Sequence, residues 1–141
     1  MAGHEGFLID TSAAARILLP QPLAQWSDAL ERGLVGMCAP TELELLYSAT
    51  SLRDYERMHE QQSALYAWRA MPDSLWARLK ELQLDLAKVG AHRSAGPVDL
   101  MVAVTAQHHG LTVLHYDRAF EAIARVTGQP VRWLVEPGSI A

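Results

Sequence analysis

The sequence predicts an α/β fold in which a central, mainly parallel sheet is flanked by helices. Short apolar runs alternate with amphipathic stretches along the 141 residues, and this alternation is typical of parallel strands joined by helical crossovers. Half of the residues are hydrophobic, which is enough for a packed core and excludes a disordered chain. No internal repeat, low-complexity tract or linker interrupts the sequence, so residues 1–141 are predicted to form a single domain.

Four short apolar runs are predicted as buried strands, because they are rich in branched residues and bounded by turn-forming residues. They are Phe7–Ile9, Leu34–Cys38, Leu111–Leu114 and Val131–Val135. Gly33 and Gly110 each stand directly before one of these runs. Glycine is the residue that most often ends a helix, so a helix is expected to stop just before each of these two strands.

The segments between the strands carry signals for helix starts and stops. Thr11 or Ser12 is placed to cap a first short helix, because hydroxyl side chains favour the N-cap position. Pro20 is expected to stop that helix. The predicted helices span about 13–18, 22–32, 41–49, 51–70, 72–90, 97–108 and 118–127.

Two features distinguish the middle of the chain. The helices predicted over 41–49 and 51–70 are expected to form an antiparallel pair inserted between strands. In the next helix, leucines repeat at steps of three and four residues, which predicts one core-facing stripe. The stripe consists of Leu75, Leu79, Leu82 and Leu86.

The composition favours a protein of the reducing cytoplasm. Cys38 is the single cysteine, which excludes an internal disulfide framework and predicts a small buried core residue. No apolar run approaches the roughly 18 residues of a membrane span. The opening segment Met1–Glu5 lacks the basic stretch of a secretion signal. We therefore expect a cytoplasmic protein without a membrane partner.

The charge balance does not single out a nucleic-acid partner. The formal net charge is −4, whereas nucleic-acid-binding proteins are usually basic. If acidic residues of the chain hold divalent cations, however, the bound charge offsets the negative balance. Net charge alone therefore excludes neither an RNA nor a small phosphate ester as the substrate.

Four carboxylates carry the functional argument: Asp10, Glu44, Asp99 and Asp117. Each follows a predicted strand or lies in the first turns of a predicted helix. Each could serve alone as a helix cap, but a parallel sheet brings such positions together at its carboxyl edge. Clustered carboxylates repel one another and must hold protons or bind a cation. Oxygen ligands select magnesium or manganese over zinc.

Glu42 competes with Glu44 for the second position in this set. Two residues apart on a helix corresponds to roughly 200° of rotation, so the two side chains cannot face the same site. Helical periodicity alone does not decide between them.

Other catalytic motifs are missing from the sequence. It contains no nucleophile elbow, no phosphate-binding P-loop and no dinucleotide fingerprint. His108 and His109 are adjacent and therefore lie on different faces of a helix, which does not fit a zinc motif. His115 is expected to pack at a strand end.

Four segments together resemble the motifs of PIN-domain ribonucleases, specifically the VapC-like toxins of bacterial toxin–antitoxin pairs. They are residues 8–13, 41–46, 97–103 and 115–120, with sequences LIDTSA, TELELL, PVDLMVA and HYDRAF. The resemblance covers most of the chain, and its order and spacing are specific. In the family pattern the second acid stands just before an apolar pair, which selects Glu44. Many relatives carry a further acid where this chain has Ala119.

The resemblance implies a PIN-like fold and an Mg²⁺- or Mn²⁺-dependent endoribonuclease. Asp10 and Asp99 would be the principal metal ligands. Glu44 and Asp117 would bind a second ion or orient the attacking water. Thr11 or Ser12 would steady Asp10 or contact phosphate.

The resemblance also implies partners. The substrate would be RNA, often tRNA, read in single-stranded loops. A VapB-type antitoxin would wrap the toxin with its C-terminal segment, and the toxin would form a homodimer. Two alternatives remain. One is a PIN fold that binds RNA or a partner without catalysis. The other is a haloacid-dehalogenase-type phosphatase, which would need a second acid where Ser12 stands.

Overall fold

A computed structural model of the protein describes residues 6–141, and the prediction made for Met1–Glu5 lies outside this part of the chain. The described residues form one sheet of five parallel strands in the order β3-β2-β1-β4-β5. The strands are β1 (Phe7–Ile9), β2 (Val35–Met37), β3 (Ala67–Trp68), β4 (Thr112–His115) and β5 (Val131–Trp133). The predicted α/β fold is confirmed, and every strand pairing in this sheet is parallel.

Seven helices connect and cover the strands of the described region. They are α1 (Thr11–Ala14), α2 (Pro20–Glu31), α3 (Ala39–Tyr47), α4 (Leu52–Leu65), α5 (Leu75–Lys88), α6 (Pro97–His109) and α7 (Ala119–Thr127). The helices α3 and α4 are consecutive and pack against each other, as expected for the inserted helical pair. No helix within residues 6–141 is long and apolar enough to cross a membrane.

The two faces of the sheet support two separate cores, because side chains alternate between faces along a strand. On one face, Leu8 and Val113 pack with the buried residues of α5, α6 and α7. On the other face, Phe7 and Ile9 pack with buried residues of α1 and α2, among them Trp26. This two-sided burial fixes the sheet and leaves its carboxyl edge as the place where the strand ends meet solvent.

The predicted leucine stripe of α5 is buried along its whole length. Cys38 is fully buried, and this burial raises the pKa of its thiol to about 11. Gly110 ends α6 with a φ of 67°, a left-handed conformation that glycine adopts without steric penalty. These three predictions are confirmed.

The first helix differs from the prediction at both ends. It begins at Thr11, and Asp10 caps it by accepting the Ala13 N–H. The prediction of a helix over 13–18 was therefore wrong, because the helix ends at Ala14 and turns follow it. The prediction that Pro20 stops the first helix was also wrong, because α1 ends at Ala14 and Pro20 is the first residue of α2, a position that its fixed φ favours.

The strand β3 lies where the sequence predicted the end of a helix. The helix α4 stops at Leu65, and Ala67–Trp68 pairs with Gly36 and Met37 of β2. Gly36 permits a close approach, because a Cβ at this position would stand 2.9 Å from the Arg69 Cγ. The prediction of a helix that reaches residue 70 was therefore wrong, and the sheet has a fifth strand that the sequence did not predict.

Candidate metal-binding and catalytic site

Asp10 lies at the carboxyl end of β1, next to the centre of the sheet. Its backbone N–H donates to the Leu114 carbonyl of β4 at 3.0 Å, which holds the two strand ends together. Its Oδ1 accepts the Ala13 N–H at 3.0 Å, and the Ser12 hydroxyl lies 2.8 Å from both carboxylate oxygens. The carboxylate is therefore oriented by the same turn that starts α1.

The Asp10 carboxyl group is nearly inaccessible, with 4% of the residue exposed. Burial raises its pKa to about 6, and the negative charge of Asp99 adds to this shift. The hydrogen bonds from Ala13 and Ser12 act in the opposite direction but do not cancel the effect of burial. A buried carboxylate with a raised pKa is a common feature of functional sites.

Asp99 occupies the first turn of α6, which brings it to the same edge of the sheet. Its Oδ2 accepts the Gly96 N–H at 3.1 Å. Burial raises the pKa of Asp99, and the charges of Asp117 and Glu44 raise it further. Asp99 therefore interacts electrostatically with all three other predicted acids.

Glu44 extends from α3 toward the start of α1. Its Oε1 accepts a hydrogen bond from the Thr11 hydroxyl. The buried side of α3 carries Pro40, Thr41 and Leu46, and the Thr41 hydroxyl donates to the Ile9 carbonyl at 3.4 Å. Glu44 is thus linked to the residue that follows Asp10.

Asp117 lies in the turn between β4 and α7 and is exposed. Its Oδ1 accepts the Ala119 N–H at 2.9 Å, and its own N–H donates to the Nδ1 of His115 at 3.3 Å. His115 is fully buried, and burial lowers its pKa to about 4. Its ring stacks between Phe120 and Trp133 at centroid distances of 5.2 and 4.8 Å. A neutral histidine therefore supports this turn by packing.

Glu42 faces a different part of the molecule. It lines a cavity of about 380 Å³ between α3, α4 and β3, together with His59, Gln62 and Tyr66. Its Oε2 lies 3.9 Å from the His59 Nε2. Glu44, and not Glu42, is the acid of α3 whose charge reaches Asp99.

The four predicted acids thus lie along one edge of the sheet, and the pKa values of Asp10 and Asp99 are raised by burial and by the charges of neighbouring acids. As placed, however, no three Asp, Glu, His or Cys side chains among residues 6–141 stand close enough to hold a metal ion.

A family model, the PIN domain, matches residues 7–126 of the chain. The chain belongs to the PIN-domain family. Two curated relatives of this PIN-domain protein come from Mycobacterium tuberculosis. Ribonuclease VapC21 is 41% identical over 94% of this chain and 96% of its own length. Ribonuclease VapC18 is 35% identical over 95% of this chain and 98% of its own length.

The PIN-domain assignment agrees with a solved structure. The crystal structure of DNA-bound VapBC from Salmonella typhimurium matches with a TM-score of 0.75 and 22% identity. The match covers 93% of this chain and 99% of that one. At this identity the likeness concerns the fold.

Some contacts of this PIN-domain site were not expected from the sequence. The Ser12 hydroxyl also accepts the Tyr116 N–H at 2.8 Å, which joins the turns after β1 and β4. The two residues are 104 positions apart, and no local pattern signals their contact. Arg93 and Ser94, which stand in the loop before α6, are exposed.

Proposed function

We propose that this chain is a metal-dependent endoribonuclease toxin of a type II toxin–antitoxin pair, acting as a single domain over residues 1–141 in the cytoplasm. The observation that carries the proposal is the convergence of Asp10, Glu44, Asp99 and Asp117 at one edge of the sheet. The relatives named Ribonuclease VapC support the choice of RNA as the substrate. The reaction would be hydrolysis of an RNA phosphodiester bond by an activated water.

The donor set fits a hard divalent cation. All four groups are carboxylates, and oxygen ligands are preferred by Mg²⁺ and Mn²⁺. Burial, and to a smaller extent the neighbouring acids, raises the pKa values of Asp10 and Asp99, and the effects that lower them are hydrogen bonds and not basic side chains. Asp10 and Asp99 would hold the ion, and Glu44 and Asp117 would complete its surroundings or hold a second ion.

The cation would lower the pKa of a bound water and neutralise charge on the phosphoryl oxygens. The protein contributes the positions of the acids. Ser12 keeps both oxygens of Asp10 in one orientation, and Thr11 restrains Glu44. Asp117 is fixed by the Ala119 N–H and is exposed, so it is available to orient an attacking water.

Three partners accompany this proposal: an antitoxin, a second copy of the chain and an RNA. A VapB-type antitoxin would cover the acidic site, where a basic side chain could compensate the carboxylates in place of metal. Structural neighbours solved as VapBC complexes support such a partner. A homodimer and a structured RNA such as tRNA are further parts of the proposal.

The test is incubation of purified, antitoxin-free chain with total RNA in Mg²⁺, in Mn²⁺ and in chelator. The proposal expects cleavage with metal, none with chelator, and products with 5′-phosphate ends. Hydrolysis of p-nitrophenyl phosphate with RNA left intact would favour a phosphatase. RNA binding without cleavage under every metal condition would favour the non-catalytic alternative.

A further inference from the structure

A second feature of the molecule adjoins the acidic site at Asp117. It is a groove of about 460 Å³ at the carboxyl ends of β4 and β5, within the size range of pockets that bind small molecules. One wall is formed by Tyr116, Asp117 and Arg118, and Trp133 forms the base. The opposite wall is the C-terminal segment with Pro137, Gly138 and Ile140. We call this feature the Trp133 groove.

The Trp133 groove presents an aromatic and guanidinium surface. The Cζ of Arg118 lies 5.8 Å from the centroid of the Trp133 ring. The ring of Tyr116 meets Trp133 edge to face at a centroid distance of 5.6 Å. The Arg118 side chain is 76% exposed, and its Nη1 lies 3.3 Å from the Oε1 of Glu121, whose side chain is 34% exposed. Such a surface pair is weak, so the guanidinium can turn toward a ligand at little energetic cost.

The far wall of the Trp133 groove is held in place by hydrogen bonds. The Tyr116 hydroxyl accepts the Gly138 N–H at 2.9 Å and donates to the Ile140 carbonyl at 3.0 Å. The Arg16 guanidinium lies 5.1 Å from the Tyr116 ring centroid, and its Nε donates to the Ala141 carbonyl at 2.9 Å. The groove is therefore formed before any ligand arrives, which lowers the entropic cost of binding.

We propose that the Trp133 groove binds a nucleobase of single-stranded RNA, next to the phosphate that is cleaved at the acidic site. This inference rests on the proposed function, because it takes RNA as the substrate. Unpaired bases stack on aromatic rings and on arginine guanidinium planes. Arg118 supplies the exposed guanidinium, and the half-buried Trp133, which also packs against His115, supplies the ring beside it. Asp117 belongs to the acidic site and to the wall of the groove, so a nucleotide adjoining the reacting phosphate reaches it.

The ligand is a base and not a second phosphate. Asp117 and Arg118 line the same groove with opposite charges, so these two side chains together give it no net positive charge to hold a second phosphate. A base presents a neutral ring face and edges that carry hydrogen-bond donors, which a carboxylate can accept. The groove therefore fits the chemistry of an unpaired nucleobase.

The test measures binding of RNA without cleavage. The protein carries Asp99→Asn and is kept in chelator. The probe is a single-stranded hexaribonucleotide containing 2-aminopurine, whose fluorescence is quenched when the base stacks. We expect saturable quenching that Arg118→Ala weakens by about tenfold, the scale of one lost stacking partner. Arg125→Ala is the matched control, because it removes the same charge from the last turn of α7, about 10 Å from Arg118 at the N-cap of that helix.

Two further comparisons separate stacking from charge. Arg118→Lys retains the positive charge without the planar group, and we expect it to bind almost as weakly as Arg118→Ala. An oligonucleotide with an abasic site in place of 2-aminopurine should lose affinity for the parent protein and not for Arg118→Ala. The inference is overturned if no saturable quenching occurs, if Arg118→Lys restores full affinity, or if Arg118→Ala and Arg125→Ala behave alike.

The outcome for the groove and the outcome for the proposed function are distinguishable. If the wild-type chain cleaves RNA with metal while Arg118→Ala binds the probe normally, the groove proposal alone fails. If the groove binds the probe as expected but the wild-type chain cleaves no RNA, the proposed hydrolysis alone fails.

Discussion

The hydroxyl oxygen of Ser12 lies 2.8 Å from each carboxylate oxygen of Asp10. The same hydroxyl accepts the N–H of Tyr116 at 2.8 Å. One side chain thus orients an acid after β1 and ties it to the turn after β4. Because Asp117 directly follows Tyr116, the Ser12 hydroxyl helps to fix the positions of two of the four acids relative to each other.

We expect Ser12→Ala to weaken the contact between the turns that follow β1 and β4. It removes a hydrogen bond to a buried carboxylate and leaves the Tyr116 N–H without its acceptor, which should lower the free energy of unfolding by about 1–3 kcal/mol. The pKa of Asp10 should rise, because the Ser12 hydrogen bond lowers it in the wild type. Urea unfolding measures the first effect, and the pH dependence of unfolding, compared with that of the wild type, measures the second. Ser63→Ala is the control, since the Ser63 hydroxyl bonds only to the His59 carbonyl among the described contacts. Equal stabilities of the two variants would contradict the role given to Ser12.

Asp10→Asn is expected to stabilise the metal-free protein at neutral pH. The pKa of Asp10 is raised from 3.8 to about 6 in the folded state, so the folded protein holds this proton more tightly than the unfolded chain. Stability contributed by Asp10 is therefore lost as the pH rises from about 4 to about 6. A neutral asparagine at position 10 does not lose this stability. We therefore expect the free energy of unfolding of Asp10→Asn to exceed that of the wild type by about 1–3 kcal/mol at pH 7.

The measurement is urea unfolding of Asp10→Asn and wild type in chelator between pH 4 and pH 7. The difference between the two proteins should grow with pH across this interval and should be absent or reversed at pH 4. Comparing the two removes the contribution of His115, which both proteins share, whereas the repulsion between Asp10 and Asp99 is part of the measured difference. Asp28→Asn, at an exposed position, is expected to show no such dependence. A difference independent of pH would refute the assigned ionisation.

Glu44→Gln and Glu42→Gln form a matched pair on one helix. Glu44 interacts with Asp99 and accepts the Thr11 hydroxyl, whereas Glu42 lines the cavity beside His59. We expect Glu44→Gln to lower kcat/KM for RNA cleavage by roughly 10- to 100-fold or more, and Glu42→Gln to leave it unchanged. If Glu42→Gln is the damaging substitution, the assignment of the second acid is wrong.

Cys38 is expected to resist thiol reagents in the native protein. Its side chain is fully buried, and its pKa of about 11 leaves almost no thiolate at neutral pH. Reaction with a disulfide reagent that yields a coloured product should be slow in buffer. It should be rapid in denaturant, where one thiol per chain is exposed and reacts. Rapid labelling of the folded protein would show that this end of β2 opens to solvent.

The sequence predicted the sheet, its central strands and the positions of the acids, because each depends on local signals. Apolar runs mark strands, and residues just beyond them reach the carboxyl edge. The strand β3 was not predicted, because two residues are too few to show a periodic pattern. Its position depends on Gly36, whose missing side chain lets Arg69 approach.

The choice between Glu42 and Glu44 shows another limit of local reasoning. Helical geometry separates the two by roughly 200° but does not say which one faces the site. The rotation of α3 is set by tertiary packing of its buried side, where the Thr41 hydroxyl also donates to the Ile9 carbonyl. Only a pattern drawn from related sequences anticipated Glu44, and the same reasoning gave no indication of the Trp133 groove.

The most direct test of the central claim is RNA cleavage by wild type and Asp99→Asn under identical metal conditions. The asparagine keeps a side-chain oxygen that can accept the Gly96 N–H, a bond that Asp99 makes at 3.1 Å, so the fold should survive, as circular dichroism and thermal unfolding would verify. The account predicts Mg²⁺- or Mn²⁺-dependent cleavage by wild type, suppressed by chelator, and none by folded Asp99→Asn. Cleavage that persists in chelator, or in folded Asp99→Asn, would contradict it.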